Sequence, residues 1–311
     1  MLMPVDTPPN VWSATPTPFN KSFDVCRMST RRLIEHHVRL GVSGLFLLGT
    51  CGEGAWMTDR QRTDLVEAAV KYNQGRLKLA VQVTDNSSAR IIDNMRWAEA
   101  LGADIAVIAP PTFFMRPTEQ HFLSHYVDAM DRSPLPVGIY DRGTYGPVVV
   151  PDAVMAKLYA HERVILIKDS SGNPDRRAIA LAAREKRPEL LLLNGDEFIC
   201  DDYMAAGYDG LLLGGGIFNG YMAGQIMTSV QAGDLKAAAR IQKRMNKLMW
   251  DVYGGKKISC WLAGLKHLLV EMGIFKNTLN YPGYEVSASC AKAIAAALQR
   301  EADALFPWKA K

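Results

Sequence analysis

A lysine continues one of the most apolar runs of this sequence. Lys168 directly follows four apolar residues, 164–167, and precedes Asp169. Burial at the end of a strand disfavours an ammonium charge, and an uncharged amine is a nucleophile towards a carbonyl carbon. The sequence therefore predicts Schiff-base chemistry at Lys168. The alternative is a structural lysine that reaches water or pairs with a carboxylate such as Asp169 or Glu53.

A tyrosine ends a second apolar run. Tyr140 follows residues 137–139, and a phenol beside an amine can both donate and accept a proton. We therefore predict that Tyr140 moves protons near Lys168. The alternative is a core tyrosine whose hydroxyl binds the backbone.

Glycines bracket two further turns. Backbone N–H groups in a turn such as Gly49-Thr50-Cys51-Gly52 form a concavity that can hold a carboxylate or a phosphate. The three glycines that begin at Gly214 would let a ligand approach the backbone closely. The alternatives are a plain strand-to-helix turn and a plain bend.

The elements that must position these residues alternate along the chain. Short apolar runs, typical of buried parallel strands, are followed by longer amphipathic runs, typical of helices. Thr58, Ser87, Thr118 and Asn173 are candidate N-caps. The strand runs are 12–18, 44–50, 77–84, 105–109, 137–141, 164–169, 190–196 and 211–214. The helical runs are 29–40, 59–72, 87–101, 118–133, 151–160, 174–186, 198–206 and 220–232.

About eight such units in series predict an α/β fold, a closed (β/α)₈ TIM barrel. No GxGxxG follows the first strand, which disfavours an open dinucleotide-binding sheet. Helical patterns alone continue over 234–253, 259–271 and 287–305. We therefore predict a catalytic barrel over 1–232 and a C-terminal three-helix extension over 233–311.

The composition excludes several classes of protein. The 311 residues carry a formal net charge of +4, which is too weak to indicate a nucleic-acid or membrane-surface partner. The five cysteines are scattered without a CxxC pair, so we expect reduced thiols, a cytoplasmic location and no metal site. The proline-rich start, residues 1–10, does not resemble a secretory signal.

Four segments together resemble one known family. They are Gly49-Thr50-Cys51-Gly52-Glu53, Tyr140 after its strand, Lys168-Asp169-Ser170-Ser171-Gly172-Asn173, and Gly195-Asp196-Glu197. In order and spacing they resemble the dihydrodipicolinate synthase and N-acetylneuraminate lyase superfamily of class I, Schiff-base pyruvate aldolases. The similarity runs from about Val11 through the C-terminal helices.

The resemblance implies a role for each residue. Lys168 would form an iminium with the 2-keto carbon, and Tyr140, with the Thr50 hydroxyl near it, would move protons. The backbone amides of Thr50 and Cys51 would hold the substrate carboxylate. No metal or organic cofactor would be needed. A homo-oligomer, a dimer or tetramer, is implied, and Phe113 and Phe114 are candidates for its tight interface.

Departures from the family pattern bear on the substrate. Cys51 stands where the family usually has threonine. Residues 110–114 lack the synthase's second tyrosine, and Tyr145 stands where the synthase has an arginine. Both losses argue against the synthase reaction. Arg142 is a candidate for binding a distal group, with a surface ion pair as the alternative.

Asp196 and Glu197 are candidates for binding sugar hydroxyls, as in the lyase branch; the alternative is charge placed at a helix N-terminus. We therefore expect a lyase, an aldolase or dehydratase, acting on a 2-keto acid, in particular a 2-keto-3-deoxy sugar acid. The alternatives are 4-hydroxy-tetrahydrodipicolinate synthase and a non-catalytic sugar-acid-binding barrel.

Overall fold

A computed structural model of the protein describes residues 10–308. Eight parallel strands close into a barrel in chain order, and the last strand pairs with the first. This confirms the predicted (β/α)₈ barrel. The strands are β1 (Val11–Ala14), β2 (Gly44–Leu47), β3 (Lys78–Gln82), β4 (Ile105–Ile108), β5 (Val137–Asp141), β6 (Val164–Asp169), β7 (Leu191–Asn194) and β8 (Gly210–Leu213).

A helix follows each strand, and further helices follow the barrel. The barrel helices are α1 (Arg27–Leu40), α2 (Asp59–Asn73), α3 (Ser88–Ala100), α4 (Glu119–Asp131), α5 (Asp152–Ala160), α6 (Pro174–Lys186), α7 (Cys200–Ala205) and α8 (Gly216–Gln231). The later helices are α9 (Leu235–Tyr253), α10 (Trp261–Glu271), α11 (Ala288–Arg300) and α12 (Ala302–Leu305). No helix within residues 10–308 is both long and apolar enough to cross a membrane.

Two apolar clusters hold the barrel together. Because successive strand residues point to opposite faces, one set fills the interior and the other packs under the helices. The interior cluster includes Phe46, Ala80, Val107, Tyr140 and Leu166. The larger cluster joins the outer faces of the strands to the helices. The barrel is therefore a packed core, and only its end is open to a ligand.

The predicted caps are confirmed. Thr58, Ser87 and Thr118 each accept a hydrogen bond from the backbone N–H three residues later, which satisfies an otherwise free donor of the first turn. The Asn173 side chain accepts a hydrogen bond from the N–H of Asp175, and Pro174 between them is the first residue of α6. These four caps fix where α2, α3, α4 and α6 begin, and therefore how long the preceding loops are.

Some predicted boundaries are wrong. Helix α8 begins at Gly216, not at residue 220 as predicted. A Cβ at position 216 would lie 2.8 Å from the Cα of Ser13, so only glycine fits against β1 there. The last predicted helix is divided between α11 and α12 at Glu301, so four helices, not three, follow α8 within residues 10–308. The buried Glu301 carboxylate binds Arg244 and Arg300 there.

The division of the chain into a barrel and an extension at residue 232 stays a prediction. Residues 1–9 of the predicted barrel and residues 309–311 of the predicted extension lie outside the described residues. Helix α9 packs on α8, α10 and α11. Tyr253, at the end of α9, and Lys266, on α10, reach groups at the end of the barrel. The C-terminal helices therefore help to build the barrel mouth.

Candidate active site

Lys168 and Tyr140 lie side by side on neighbouring strands. They are direct partners in the pairing of β5 with β6, and both side chains are buried. The Nζ atom of Lys168 is 4.1 Å from the centroid of the Tyr140 ring and 5.0 Å from that of Phe46. The two rings meet edge to face at 5.7 Å. The structure therefore holds the amine against the Tyr140 and Phe46 rings at the carboxyl ends of the strands.

The two carboxylates that could have neutralised Lys168 have other partners. Glu53 accepts a hydrogen bond at 2.5 Å from Lys266. Asp169 accepts hydrogen bonds from the Tyr208 hydroxyl at 2.6 Å and from Ser171. Within residues 10–308, no carboxylate lies within ion-pair distance of Lys168. The interpretation of Lys168 as a structural ion pair with Asp169 or Glu53 is therefore wrong.

Cys51, Gly214 and Glu197 meet on another side of the barrel mouth. A Cβ added at Gly214 would lie 3.2 Å from the Cys51 Sγ and 3.6 Å from the Glu197 Oε1. Burial raises the pKa of the Cys51 thiol to about 12. Cys51 is therefore a neutral, weak donor at physiological pH.

Glu197 is already engaged by protein groups. Its Oε1 accepts a hydrogen bond from the Tyr253 hydroxyl at 2.6 Å, and its Oε2 accepts one from the Gly215 N–H at 2.7 Å. Burial raises the pKa of Glu197. Asp196 accepts a hydrogen bond from the Phe198 N–H through one oxygen, and burial raises the pKa of Asp196 as well. Both carboxylates therefore shape the loop after β7, and their role towards a ligand stays a prediction.

Thr50 and Arg142 line one cavity of about 630 Å³. The Arg142 guanidinium donates a hydrogen bond to the Pro110 carbonyl at 2.9 Å, and Thr50 lines the same cavity from the glycine-bracketed turn. Lys168 and Tyr140 do not line this space, which lies towards β2, β3 and β4. Among the described residues, no hydrogen bond joins the Thr50 hydroxyl to the Tyr140 phenol. The structure thus places Lys168 beside Tyr140, and Thr50 and Arg142 on the lining of one cavity.

Sequence reasoning missed three residues near this mouth. Phe46 packs against the amine, Gln82 lines the cavity, and Lys266 binds Glu53 beside the turn. Strict alternation along β2 and β3 would have placed Phe46 and Gln82 inside the barrel. Lys266 had no such signal, because it is separated from Glu53 by 213 residues.

The fold and the site define a class of protein. A closed parallel barrel with a buried lysine and a phenol at the carboxyl ends of adjacent strands is the architecture of a class I, Schiff-base-forming barrel lyase. A sequence model described as the dihydrodipicolinate synthetase family matches residues 7–301. The chain belongs to that family, which confirms the resemblance.

Individual relatives agree with this assignment. The chain is 33% identical over 201 residues to a 4-hydroxy-tetrahydrodipicolinate synthase of Xanthomonas campestris, covering 64% of this chain and 65% of that protein. It is 26% identical to one of Rhodopseudomonas palustris, covering 92% of this chain and 94% of that protein. The solved dihydrodipicolinate synthase of Bacteroides thetaiotaomicron is 26% identical with a TM-score of 0.84, covering 96% of this chain and 100% of that one.

Proposed function

We propose that this enzyme is an aldolase or dehydratase that binds a 2-keto acid as a Schiff base on Lys168. The preferred substrate is a 2-keto-3-deoxy sugar acid or a related compound that releases pyruvate. The observation that carries the proposal is the position of the Lys168 amine, buried 4.1 Å above the Tyr140 ring without a carboxylate partner among residues 10–308. An amine so placed is free to attack a carbonyl carbon.

The chemistry follows from the electrons of the imine. The uncharged Lys168 nitrogen attacks the C2 ketone, and the carbinolamine loses water to form an iminium. The iminium accepts the electron pair when the C3–C4 bond breaks or when a proton leaves C3. Tyr140 donates the proton that the departing hydroxyl needs and takes it back later. The N–H groups of Thr50 and Cys51 bind the C1 carboxylate in this proposal.

Borohydride trapping tests the proposal directly. Incubation with pyruvate and borohydride should reduce the imine to a stable secondary amine, which peptide mass spectrometry should locate on Lys168. Lys266 serves as an internal control, because it is also buried but is bound to Glu53. An adduct on Lys266 alone, or no adduct under conditions that label a known family member, would refute the proposal. Turnover of any 2-keto acid would dismiss the non-catalytic alternative.

The relatives' names favour a second candidate, 4-hydroxy-tetrahydrodipicolinate synthase. Against it stand residues 110–114, which contain no tyrosine, and Tyr145, which is 71% exposed where the resemblance calls for an arginine. A coupled assay with pyruvate and aspartate semialdehyde separates the two candidates. Condensation at a rate typical of the family would favour the synthase.

We propose further that the enzyme works as a homo-oligomer in the cytoplasm. Phe113 and Met115 expose 62% and 74% of their surface on the loop after β4, and exposed apolar side chains grouped on one loop suit a subunit interface. All five cysteines are free, which suits a reducing compartment. Light scattering that gives the mass of one chain would contradict the oligomer.

A further inference from the structure

Two buried cysteines meet where three of the C-terminal helices pack together. Cys260 directly precedes α10, and Cys290 lies in the first turn of α11. Both residues are almost fully buried. The Cys290 Sγ lies 3.4 Å from the carbonyl oxygen of Val252, and the Cys260 N–H donates at 2.9 Å to the carbonyl of the next residue, Tyr253. The last turn of α9 therefore holds the two cysteines on consecutive carbonyls.

One serine hydroxyl joins the two cysteines. The Ser287 Oγ lies 3.7 Å from the Cys260 Sγ, and it accepts a hydrogen bond at 3.2 Å from the Cys290 N–H. A Cβ at Gly254 would lie 2.8 Å from the Cys260 Sγ, so this glycine leaves room for the sulfur. Helices α9, α10 and α11 pack on one another and enclose both side chains. A disulfide forms between cysteines that the fold already holds side by side, because the backbone then has little distance to move.

The two thiols differ in how readily they ionise. Burial opposes ionisation of Cys260, but hydrogen bonds from Ser287 and from the Cys290 thiol outweigh burial and lower the pKa of Cys260. Burial, together with the neighbouring Cys260 thiol, raises the pKa of Cys290 to about 12. The thiolate is the nucleophilic form of a cysteine. Cys260 is therefore the thiol that reacts first, and Cys290 is its neutral neighbour.

A groove of about 300 Å³ leads from the surface to this pair. Cys290 lines the groove together with Ser259, Ser287, Gly254 and Gly255. Hydrogen peroxide, which has two heavy atoms, fits in such a space. The groove shares no lining residue with the cavity of about 630 Å³ beside Lys168. The cysteine pair is therefore separate from the proposed Schiff-base chemistry.

We propose that Cys260 and Cys290 are an oxidation site at which a peroxide forms a reversible disulfide. The Cys260 thiolate attacks one peroxide oxygen, so the S–O bond forms, the O–O bond breaks, and the leaving hydroxide takes up a proton to become water. The Cys290 thiol then gives up its proton, and its sulfur attacks the Cys260 sulfur. The S–S bond forms, the S–O bond breaks, and a second water leaves. A thiol reductant reverses the reaction by disulfide exchange.

The disulfide would fix the helix that supports the barrel mouth. Cys260 directly precedes Trp261, which packs against the interior cluster of the barrel, and Lys266 on the same helix binds Glu53. A bond from Cys260 to Cys290 also closes a loop in the chain, which restricts the unfolded state. The oxidised protein should therefore melt several degrees above the reduced protein.

Peptide mapping of the full-length protein tests the site. The protein is treated with hydrogen peroxide at neutral pH, its remaining thiols are blocked with N-ethylmaleimide, and its disulfides are located by mass spectrometry. We expect one bond, between Cys260 and Cys290, that dithiothreitol reverses and that raises the melting temperature. Cys51 and Cys200 are internal controls that should stay reduced, because burial raises the pKa of both thiols. A bond between other cysteines, or oxidation of Cys260 to a sulfinic acid without a bond, would overturn the proposal.

Serine variants assign the role of each thiol. In Cys290→Ser, dimedone should label a sulfenic acid on Cys260, because no second thiol is left to displace the oxygen. In Cys260→Ser, peroxide should leave Cys290 unlabelled and the melting temperature unchanged. Cys26→Ser is the matched control, since it removes a half-buried thiol elsewhere and should form the bond at the wild-type rate. Labelling of Cys290 in Cys260→Ser would show that the nucleophile is wrongly assigned. Mapping of the wild type decides whether the bond forms even where a serine variant misfolds.

Discussion

At the scale of single residues, the site depends on two contacts of Lys168. The Tyr140 ring faces the Lys168 amine. The Tyr140 hydroxyl makes no hydrogen bond with residues 10–308. The phenol is therefore available for proton transfer. On the other side, Gly195 leaves room for the lysine side chain. Each contact leads to a prediction.

Tyr140→Phe should slow turnover without unfolding the protein. The ring stays over the amine, whereas the proton donor is lost, so kcat should fall roughly 10²- to 10⁴-fold. The melting temperature should change little, because the hydroxyl has no partner to lose among the described residues. Steady-state kinetics and calorimetry check both parts. A variant with wild-type kcat would show that another group moves the proton.

Gly195→Ala should displace the lysine. A Cβ at this position would lie 2.0 Å from the Ser170 Oγ and 3.1 Å from the Lys168 Cε. We expect trapping on Lys168 to fall at least tenfold, since a misplaced nucleophile loses most of its reactivity. Adding Ser170→Ala removes the worst clash and should restore part of the trapping. Equal trapping in the single variant and the wild type would show that the loop shifts freely.

At the scale of elements, a buried ion pair ties α10 to the glycine-bracketed turn. Lys266 and Glu53 expose 1% and 0% of their side chains, and the second Glu53 oxygen accepts the Tyr281 N–H at 2.7 Å. Burial lowers the pKa of Lys266 to about 8 and raises that of Glu53. The 2.5 Å contact and the Tyr281 N–H favour the charged pair below pH 8.

Lys266→Met should therefore destabilise both the fold and the turn. A buried carboxylate left without its cation costs about 3–5 kcal/mol of unfolding free energy. Urea denaturation should show this loss, and the KM for the keto acid should rise because Glu53 ends the turn. The matched double variant, Glu53→Gln with Lys266→Met, leaves no charge and should be more stable than Lys266→Met alone. A double variant that is less stable than Lys266→Met would contradict the assignment of Lys266 and Glu53 as a buried charged pair.

At the scale of the whole molecule, two buried histidines link stability to pH. His36 binds the Ile217 carbonyl on α8, and His37 binds Ser13 on β1. Burial lowers the pKa of His36 to about 4 and that of His37 to about 3, whereas both take up protons near pH 6.5 in the unfolded chain. Both are neutral in the folded protein at physiological pH and join α1 to the barrel.

Stability should therefore fall as the pH falls below about 6.5. The unfolded chain binds two protons that the folded chain excludes, so each histidine should remove about 1.4 kcal/mol of unfolding free energy per pH unit until its folded pKa is reached. Denaturation at several pH values between 7 and 5 should show that the unfolding free energy depends less steeply on pH in His37→Gln than in the wild type. His121→Gln is the control, since His121 is exposed. Equal slopes in all three proteins would refute this.

The sequence by itself determined the barrel fold and the positions of Lys168 and Tyr140 near the ends of their strands. These depend on local patterns, since apolar runs of strand length predict strands, and parallel strands carry their terminal residues to one end of a barrel. The helix caps were equally local. The predicted helix boundaries were wrong where packing against another element sets the boundary, as at the start of α8, where Gly216 packs against Ser13.

Only the tertiary structure decided which charges meet. It paired Glu53 with Lys266 rather than with Lys168, and it placed Arg142, which has no carboxylate partner among residues 10–308, on the lining of the same cavity as Gln82. The sequence offers several carboxylates for each cation. The choice among them depends on closure of the barrel and on docking of α10, which bring together residues as far apart as 213 positions.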